Sequence, residues 1–591
     1  MLKPSWAAVM LASCCSAAQA ENAIERISIY ANRLPTAESQ VLASVTVLER
    51  DDIVSRQATD LPTLLAQMPG INIARDGGRG QNSSLYLRGG NSGHTLVLID
   101  GVRTGSATLG YKALAMVPLE LIERIEVIRG PRAAWYGADA LSGVIAISTR
   151  KAQGTEINAN VGSFGQAGTD LSVSQQVGDL TVSATAGYSR ADGFNVRKDL
   201  DADRDGYQQR FAKVAAEYQS TVGTWQAQFD INSGFNQFDT AWGTEDEADT
   251  LSRSYLLGWQ HAVGEWQHQA QLSRVLDDDT SFGPDSRSPF VTERDEVNYQ
   301  TSTSLTEQLT GLAGVNWYSE DVARSGVNYV IDSRINRAFF TGMSFKQQQL
   351  QLEGSVRRDV TDQYGGNTTW QLAAGYFFSE AWQVRASRGA AFKAPTFNDL
   401  YYPGSANPDL APEQTVSDEV AIHYRASNGS IQLVWFENDV DNLIQFDMAT
   451  FMPQNIEKAQ ISGAELVINV DVAEIQQQFA YSWIDTENTL TGQRLVRRPE
   501  NTLNWRAERQ WGKISAFVSA DYQSNTYQGP FASQEYLGGF TVWGVGASYP
   551  VSNSLIVRAN LANLFDKRYQ TNASYTTAGV NFGLSLSYRP Q

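Results

Sequence analysis

Acidic side chains recur at every second position in one short stretch of the chain. They are Asp199, Asp201, Asp203 and Asp205, and Gly206 follows directly. Carboxylate oxygens are hard ligands, and several of them can converge on one divalent cation while a glycine permits the turn. The stretch therefore predicts a cation-binding loop, although a solvated acidic loop remains the alternative.

The acidic stretch has the spacing of the first half of an EF-hand loop. The twelfth position of such a loop needs a bidentate glutamate, and here it is Ala212. The remaining ligands must then come from another loop. The next long loop offers Phe238, Asp239, Glu245, Asp246, Glu247 and Asp249.

Catalytic chemistry is not visible in the sequence. There is no G-x-S-x-G, no H-E-x-x-H and no paired-histidine motif among His94, His261, His268 and His423, and both cysteines lie in residues 1–20. A hydrolase needs a nucleophile and a base held together. The sequence predicts a protein that is not an enzyme.

Residues 1–20 read as an export signal. Lys3 precedes an apolar core, and Ala18-Gln19-Ala20 forms an A-x-A cleavage site. A mature chain starting at Glu21 is expected. A lipoprotein signal is the alternative, because Leu11-Ala12-Ser13-Cys14 fits a lipobox.

The overall charge and hydropathy narrow the class further. The formal net charge of −18 disfavours nucleic acid as a partner, because phosphates need a basic surface. After the signal no apolar run approaches the roughly 20 residues of a membrane helix. An exported soluble protein and an outer-membrane β-barrel both remain open.

Two regions of the chain differ in pattern. In residues 76–150, the strand-like runs Thr95–Ile99 and Ile122–Ile128 are each followed by glycine turns, which indicates a compact α/β unit. From about Gly154 onward, polar and apolar residues alternate, which is typical of half-buried strands. At roughly 20 residues per strand and turn, this region allows about 22 strands. A soluble β-sandwich or propeller is the alternative.

Several motifs carry a resemblance to a known family. The chain resembles TonB-dependent outer-membrane receptors, and within them the branch that transports cobalamin (vitamin B12). The motifs are Leu61-Pro62-Thr63-Leu64-Leu65, Met68-Pro69-Gly70-Ile71-Asn72-Ile73, Leu87-Arg88-Gly89, Val97-Leu98-Ile99-Asp100-Gly101-Val102, Ile125-Glu126-Val127-Ile128-Arg129-Gly130-Pro131, Trp135-Tyr136-Gly137-Ala138-Asp139-Ala140, Gly143-Val144-Ile145, Phe392-Lys393-Ala394-Pro395, Asn407-Pro408-Asp409-Leu410-Ala411-Pro412-Glu413 and Asn563-Leu564-Phe565-Asp566-Lys567-Arg568-Tyr569.

The resemblance implies a fold, a location and partners. The fold is an all-β transmembrane barrel of about 22 antiparallel strands with a small α/β plug in its lumen. The expected domains are a signal peptide (1–20), a TonB-box segment and linker (21–36), a plug (37–152) and a barrel (153–591). The protein is expected as a monomer in the outer membrane of a Gram-negative bacterium, in contact with outer-membrane lipid. TonB, energised by the ExbB–ExbD complex, and a downstream periplasmic cobalamin-binding protein are the expected partners.

The resemblance also assigns a coupling segment, the TonB box, to Glu25, Arg26, Ile27, Ser28, Ile29, Tyr30 and Ala31. An extended segment with alternating apolar residues can add to the exposed sheet edge of a partner. An ordinary first strand of the plug is the alternative.

The resemblance further implies ligand-binding residues. Two calcium ions are expected on Asn195, Asp201, Asp203, Asp205, Asp239, Asp249 and the backbone carbonyl of Phe238, with Asn195 standing where the family has an aspartate. Cobalamin is expected to contact Asn82, Ser84, Asn91, Leu109, Gly110, Thr292, Arg497 and Phe531.

Plug arginines are expected to hold the plug in the barrel. Arg75, Arg79, Arg88, Arg103, Arg129 and Arg132 can pair with carboxylates on the barrel wall, with Arg129 and Arg132 as the expected main contacts. The predicted function is TonB-dependent cobalamin uptake. A ferric-siderophore or haem receptor is the alternative within transport, and a barrel enzyme or passive pore is the alternative outside it.

Overall fold

The computed structural model describes residues 27–28, 30–151, 154–200, 202–240, 245–447, 449–529 and 532–590. The predictions for residues 1–20 and for Glu25, Arg26, Ile29, Asp201 and Phe531 lie outside these ranges. None of the helices in the described ranges is both long and apolar enough to cross a membrane.

The N-terminal part of the chain forms a plug of short strands and helices. Its elements are β1 (Ile27–Ser28), β2 (Thr36–Ala37), β3 (Ser44–Glu49), α1 (Arg50–Arg56), α2 (Leu61–Leu65), β4 (Ile71–Arg75), β5 (Ser83–Leu87), β6 (Thr95–Ile99), β7 (Val102–Arg103), β8 (Ile122–Arg129), α3 (Ala133–Tyr136) and β9 (Gly143–Thr149). A five-stranded sheet has the order β3-β8-β9-β6-β7, with β6 and β9 parallel. Strands β4 and β5 form a separate hairpin.

The plug has its own hydrophobic core. Asp60 is the N-cap of helix α2, and its side chain accepts a hydrogen bond from the Thr63 amide (2.9 Å). This helix buries Leu61, Leu64 and Leu65 against the sheet. The plug contains little regular helix. Burial of the apolar face of α2 therefore contributes to its folding free energy.

The rest of the chain forms a closed barrel of 22 strands. Its elements, with those of its outer loops, are β10 (Thr155–Gly162), β11 (Ala167–Val177), β12 (Leu180–Phe194), β13 (Asp205–Ser220), β14 (Gly223–Gln237), β15 (Glu247–Val263), β16 (Trp266–Gly283), β17 (Ser286–Ser304), β18 (Leu309–Asp321), β19 (Ser333–Gln347), β20 (Leu350–Thr361), β21 (Gly365–Phe377), β22 (Trp382–Lys393), α4 (Phe397–Tyr401), β23 (Glu413–Ala426), β24 (Gly429–Asp447), β25 (Met452–Val472), β26 (Ile475–Asn488), β27 (Asn501–Trp511), β28 (Ile514–Gln523), β29 (Thr526–Tyr527), β30 (Tyr536–Leu537), β31 (Phe540–Pro550), β32 (Leu555–Ala562) and β33 (Asn581–Tyr588).

Strand β10 pairs with β33, which closes the barrel and leaves no unpaired sheet edge in the membrane. Along β33, Phe582, Leu584 and Leu586 are exposed on the outer face while the residues between them face inward. The predicted fold class, a 22-stranded barrel with an N-terminal plug, is confirmed. The barrel wall surrounds the plug, so charged groups on the two can meet away from water.

Candidate functional site

The plug is held to one side of the barrel wall by an anchor cluster, Arg88, Arg129, Glu419 and Glu465. Arg88 follows β5 with φ near +48°, a left-handed conformation that turns its side chain toward β23 and β25. Its guanidinium lies 2.6 Å from Glu419 Oε2 and 2.8 Å from Glu465 Oε1. Arg129 adds a salt bridge of 3.3 Å to Glu465.

Burial makes this cluster sensitive to any loss of a partner. All four side chains are buried, and the Arg88 guanidinium also stacks 4.5 Å from the Phe436 ring. Burial alone lowers the pKa of Arg88, but the Glu465 and Glu419 carboxylates outweigh it and raise that pKa above its ordinary value. Gly70 touches the same place. A Cβ there would lie 2.4 Å from Glu465 Oε1, and its φ of +72° favours glycine.

The prediction that plug arginines pair with barrel carboxylates is confirmed for Arg88 and Arg129 and wrong for others. Arg132 reaches the barrel through an amide, Gln371 Oε1, at 2.7 Å. Arg75 and Arg103 pair within the plug, with Asp60 (2.6 Å) and Asp139 (2.9 Å). Arg79 lies 3.9 Å from the plug residue Glu120. These plug carboxylates are close in the chain or in the fold, so they compete successfully with the wall.

Three of the predicted metal ligands come together in the outer loops. Carboxylate oxygens of Asp203, Asp205 and Asp239 all lie within 4.8 Å of one another. Asp205 and Asp239 are buried, and Asp203 is exposed. The cluster joins the loop after β12 to the loop after β14, as the acidic spacing predicts.

A third outer loop, residues 563–580, supports this cluster. Tyr575 donates its hydroxyl hydrogen bond to the Asp239 carbonyl (3.0 Å), and Thr576 donates to the Asn195 carbonyl (2.8 Å). Asp205 Oδ2 accepts from the Val196 amide (2.8 Å). The contribution of Tyr575 and Thr576 is absent from the sequence prediction, because hydroxyl donors in a distant loop have no spacing signal.

Asp249, a predicted metal ligand, and Asp199 of the acidic stretch lie outside this carboxylate cluster. Asp249 is exposed on β15, where it lies opposite Phe235 of β14 and Thr280 of β16. It is an even number of residues from Tyr255, so both side chains lie on the outward face of the strand. Asp199 forms a salt bridge of 2.7 Å with Arg197. The Phe238 amide donates to the Asp246 carbonyl (2.7 Å), and the role of the Phe238 carbonyl as a metal ligand stays a prediction.

The donor set of the cluster fits one hard divalent cation. Three carboxylates without a described histidine or cysteine beside them suit calcium or magnesium better than a transition metal. Calcium takes six to eight oxygen ligands, so backbone carbonyls of the same loops and water would complete the shell. An ion there would offset repulsion among the three charges.

The predicted substrate residues of the plug lie at its outer apex. Asn82 and Leu109 are exposed, and Ser84 and Asn91 are half-buried. Gly110 has φ near +76°, and a Cβ there would lie 2.7 Å from Lys393 Nζ and from Thr396 Cγ2. The apex therefore presents polar groups and closely approached backbone to the outer loops.

Two predicted substrate residues of the barrel contact the plug. Thr292 is buried, and its hydroxyl accepts from the Ala107 amide (2.9 Å). The Arg497 carbonyl accepts from Asn72 Nδ2 (3.0 Å), while its own amide donates to the Tyr527 carbonyl (2.6 Å). Their contact with substrate stays a prediction.

Two further plug–barrel contacts are absent from the sequence predictions. Arg498 donates to the Gly89 carbonyl (3.0 Å) and to Asn91 Oδ1, and it stacks 4.3 Å from the Tyr86 ring. His94 Nδ1 accepts from the Asn91 amide, which leaves Nε2 to donate to Glu413 at 2.5 Å. Neither contact could be predicted from the sequence, because His94 and Arg498 belong to no motif with a characteristic spacing.

The described part of the predicted TonB box packs against the plug, with Ile27 exposed. Ser28 is buried, and its hydroxyl donates to Glu126 Oε2 (2.7 Å), as does the Tyr30 amide (3.2 Å). Tyr136 donates to the Tyr30 carbonyl (2.7 Å). Strand β1 pairs with β2, so these residues form a first plug strand here. Their role in coupling stays a prediction.

The fold and these contacts define a plugged membrane barrel, and comparison with known proteins agrees. The family model "TonB-dependent Receptor Plug Domain" matches residues 37–144, and "TonB dependent receptor-like, beta-barrel" matches residues 149–564. A protein of Photobacterium profundum, "Vitamin B12 transporter BtuB", is 32% identical over 616 residues, covering 100% of both chains.

Solved structures of siderophore receptors share the fold. A mutant of the ferric enterobactin receptor PfeA of Pseudomonas aeruginosa has a TM-score of 0.80 at 19% identity, covering 92% of this chain and 98% of its own. The siderophore receptor PirA of Acinetobacter baumannii has a TM-score of 0.80 at 18% identity, with the same coverage.

The chain belongs to the TonB-dependent receptor family. It is an outer-membrane receptor that works with TonB to take up a ligand, and it is not an enzyme.

Proposed function

We propose that this receptor takes up cobalamin, or a related corrinoid, across the outer membrane. The observation that carries the proposal is the full-length match, at 32% identity, to a protein named as a vitamin B12 transporter. A match that covers both plug and barrel includes the outer loops, where receptors of one fold differ most in ligand.

The cobalamin surface comprises the plug apex and the outer loops. The apex contributes Asn82, Ser84, Asn91, Leu109 and Gly110, of which Asn82 and Leu109 are exposed and the others half-buried. Thr292, Arg497 and Phe531 are the proposed barrel contributors. Because Thr292 is buried against the plug, it would act on the ligand by holding the loop at Ala107.

Calcium is the proposed ion of the outer loops. Asp203, Asp205 and Asp239 would hold one ion, and Asn195, Asp201, Asp249 and the Phe238 carbonyl would take part in the two-ion arrangement expected from the resemblance. An ion at the cluster would order two loops before cobalamin arrives, which lowers the entropic cost of binding.

Coupling is proposed to run through the N-terminal segment. Residues 1–20 would direct export, residues 25–31 would pair with TonB, residues 37–152 would form the plug and residues 153–591 the barrel. TonB would be energised by ExbB–ExbD, and a periplasmic cobalamin-binding protein would receive the ligand from a monomeric receptor.

A ferric-siderophore receptor is the second candidate, favoured by the shared fold with PfeA and PirA. Growth of a strain without its own cobalamin receptor separates the two. Cells carrying this protein should grow on low nanomolar cyanocobalamin, and the same cells with a PfeA-type receptor should not. Growth on a ferric siderophore but not on cobalamin would overturn the proposal.

A further inference from the structure

Two arginines and a tyrosine form a small patch on the outer wall of the barrel. Tyr255 on β15 lies directly opposite Arg274 on β16. Arg253 precedes Tyr255 by two residues on β15, so it is the diagonal neighbour of Arg274. Diagonal pairs in antiparallel sheets are roughly 7–8 Å apart, close enough for two guanidinium groups to reach one anion.

The same arrangement recurs on two other strand pairs. Tyr188 on β12 is opposite Arg210 on β13, and Arg190 is two residues beyond Tyr188.

On the third pair, Phe339 on β19 is opposite Arg358 on β20, and Arg337 is two residues from Phe339. In all three patches the second arginine lies beyond the aromatic residue in the direction of the long outer loops. We call them the β12–β13, β15–β16 and β19–β20 patches.

All three patches face lipid and not the lumen. Residues of the same parity on these strands include the exposed Val214, Leu257 and Val356. Residues of the opposite parity, such as Phe211 and Arg357, are buried against the lumen side. An arginine on the lipid-facing side is costly within the apolar band and much less so at its edge.

The patches lie at the outer edge of the apolar band. Each strand has one end at a short turn, and each arginine is eight or ten residues from that end. Arg274, for example, is eight residues from Trp266, and Arg253 is ten residues from Val263. Strands tilted by about 45° rise roughly 2.4 Å per residue, which places the arginines about 20–25 Å above those turns. The apolar band is about 25 Å tall, so the guanidinium groups reach the headgroups of the outer leaflet.

Most of these arginines lack a carboxylate partner. Within the described part of the chain, Arg190, Arg210, Arg253 and Arg337 form no salt bridge, although Arg210 lies 5.8 Å over the Tyr188 ring. Arg358 donates to Thr368 Oγ1 (2.8 Å). Arg274 is the exception, because its Nε and Nη2 donate to Asp295 Oδ1 and Oδ2, each at 2.6 Å. The protein has a net charge of −18, so two neighbouring arginines without a carboxylate partner make the local charge positive on a negatively charged protein.

We infer that these three patches bind phosphate groups of outer-leaflet lipids. A pair of guanidinium groups matches the oxygens of a phosphate monoester, and the aromatic ring beside them packs on the upper part of an acyl chain. The β15–β16 patch should bind more weakly than the other two, because Asp295 already neutralises Arg274.

Native mass spectrometry of the detergent-purified full-length receptor tests this inference. The probe is phosphatidic acid, a lipid phosphate monoester, and phosphatidylserine and phosphatidylcholine are the comparison lipids. The wild-type receptor should retain up to three phosphatidic acid molecules, and at least tenfold fewer of the comparison lipids. Replacing both arginines of one patch, as in R337Q/R358Q, should remove one retained molecule.

A matched control is Arg388→Gln. Arg388 is an exposed arginine of β22 that lies 3.6 Å from Asp418 and belongs to no patch, so its loss should leave retention unchanged. Heat-dependent migration in gels reports whether each variant forms its barrel. If a variant does not fold, the double variants of the other two patches decide the question.

Three results would overturn the inference. The first is that all folded double variants retain as much phosphatidic acid as the wild type. The second is that the wild type retains the comparison lipids as well as phosphatidic acid. The third is that millimolar inorganic phosphate displaces the lipid. The last would mean that the patches bind free anions and not lipid.

Discussion

Arg88 of the plug and Glu465 of the barrel wall form a bidentate salt bridge, with Nε–Oε1 at 2.8 Å and Nη2–Oε2 at 2.9 Å, where both side chains are buried. Such a pair gives little net stability over an apolar contact, but breaking it is costly because the remaining charge stays buried. The anchor cluster thus holds the plug in one position against the barrel wall.

Arg88→Ala should loosen the plug strongly. Glu465 and Glu419 would remain buried with only the more distant arginines to compensate, so the plug should lose about 3–5 kcal/mol of stability. Residues 21–591 contain no cysteine, so a label on Leu109→Cys can report plug unfolding in urea. The exposed Arg388→Ala is the matched control, and an equal unfolding midpoint for both variants would contradict the role given to Arg88.

Asp60→Asn should change how plug stability depends on pH. Burial raises the pKa of Asp60, but Arg75 and the Thr63 hydrogen bonds outweigh it and lower that pKa below 3.8. A lowered carboxyl pKa gives stability that is present above the unfolded pKa and lost as pH falls through the folded value.

The free energy of plug unfolding should therefore be about 1–3 kcal/mol lower in Asp60→Asn at pH 7. The difference from wild type should shrink as pH falls below about 4, because the carboxyl of the unfolded chain then gains its proton while the folded one is still charged. Urea unfolding of the same Leu109→Cys reporter at pH 7 and pH 3 measures both values. A difference that stays constant across this range would rule out the charged Asp60–Arg75 pair as its source.

Ile27→Pro should separate ligand binding from uptake. Ile27 is 49% exposed and pairs with Ala37 in β1–β2, and proline removes the backbone donor that a strand needs to pair with TonB. Cobalamin binding to the purified variant should stay within about twofold of wild type, since the plug apex is unchanged. Uptake by cells should be lost. Ile27→Val is the control, and lost binding in Ile27→Pro would refute the separate roles.

Asp239→Asn should weaken calcium binding. This buried carboxylate lies in the three-residue cluster, and ligand charge sets calcium affinity, so a loss of at least about tenfold is expected. Isothermal titration with calcium measures it. Asp249→Asn is the informative comparison, because Asp249 is exposed on β15 outside the cluster. Equal losses in both variants would mean that Asp249 is a ligand, and no loss in either would remove the proposed site.

The fold was predictable because a membrane barrel repeats one physical rule along its length. Lipid on one side and a polar lumen on the other impose period two, and Phe582, Leu584 and Leu586 display it without long-range information. The carboxylate cluster was predictable in part, since the spacing of Asp203 and Asp205 brings their carboxylates together locally.

Contacts between distant parts of the chain were not predictable in the same way. Whether Arg75 pairs with the wall or with Asp60 depends on how close the hairpin β4–β5 comes to helix α2, which only the packed plug decides. The support of Asp239 by Tyr575 crosses 336 positions of sequence. Hydrogen bonds of this kind have no periodicity, so no local pattern indicates them.

Equilibrium binding of cyanocobalamin to the purified receptor, with calcium and with a chelator, tests the central claim most directly. If the proposed ion orders the loops of Asp203 and Asp239 in advance, cobalamin should bind in calcium and bind at least about tenfold more weakly in the chelator. No measurable cobalamin binding in either condition, together with tight binding of a ferric chelate, would contradict the account.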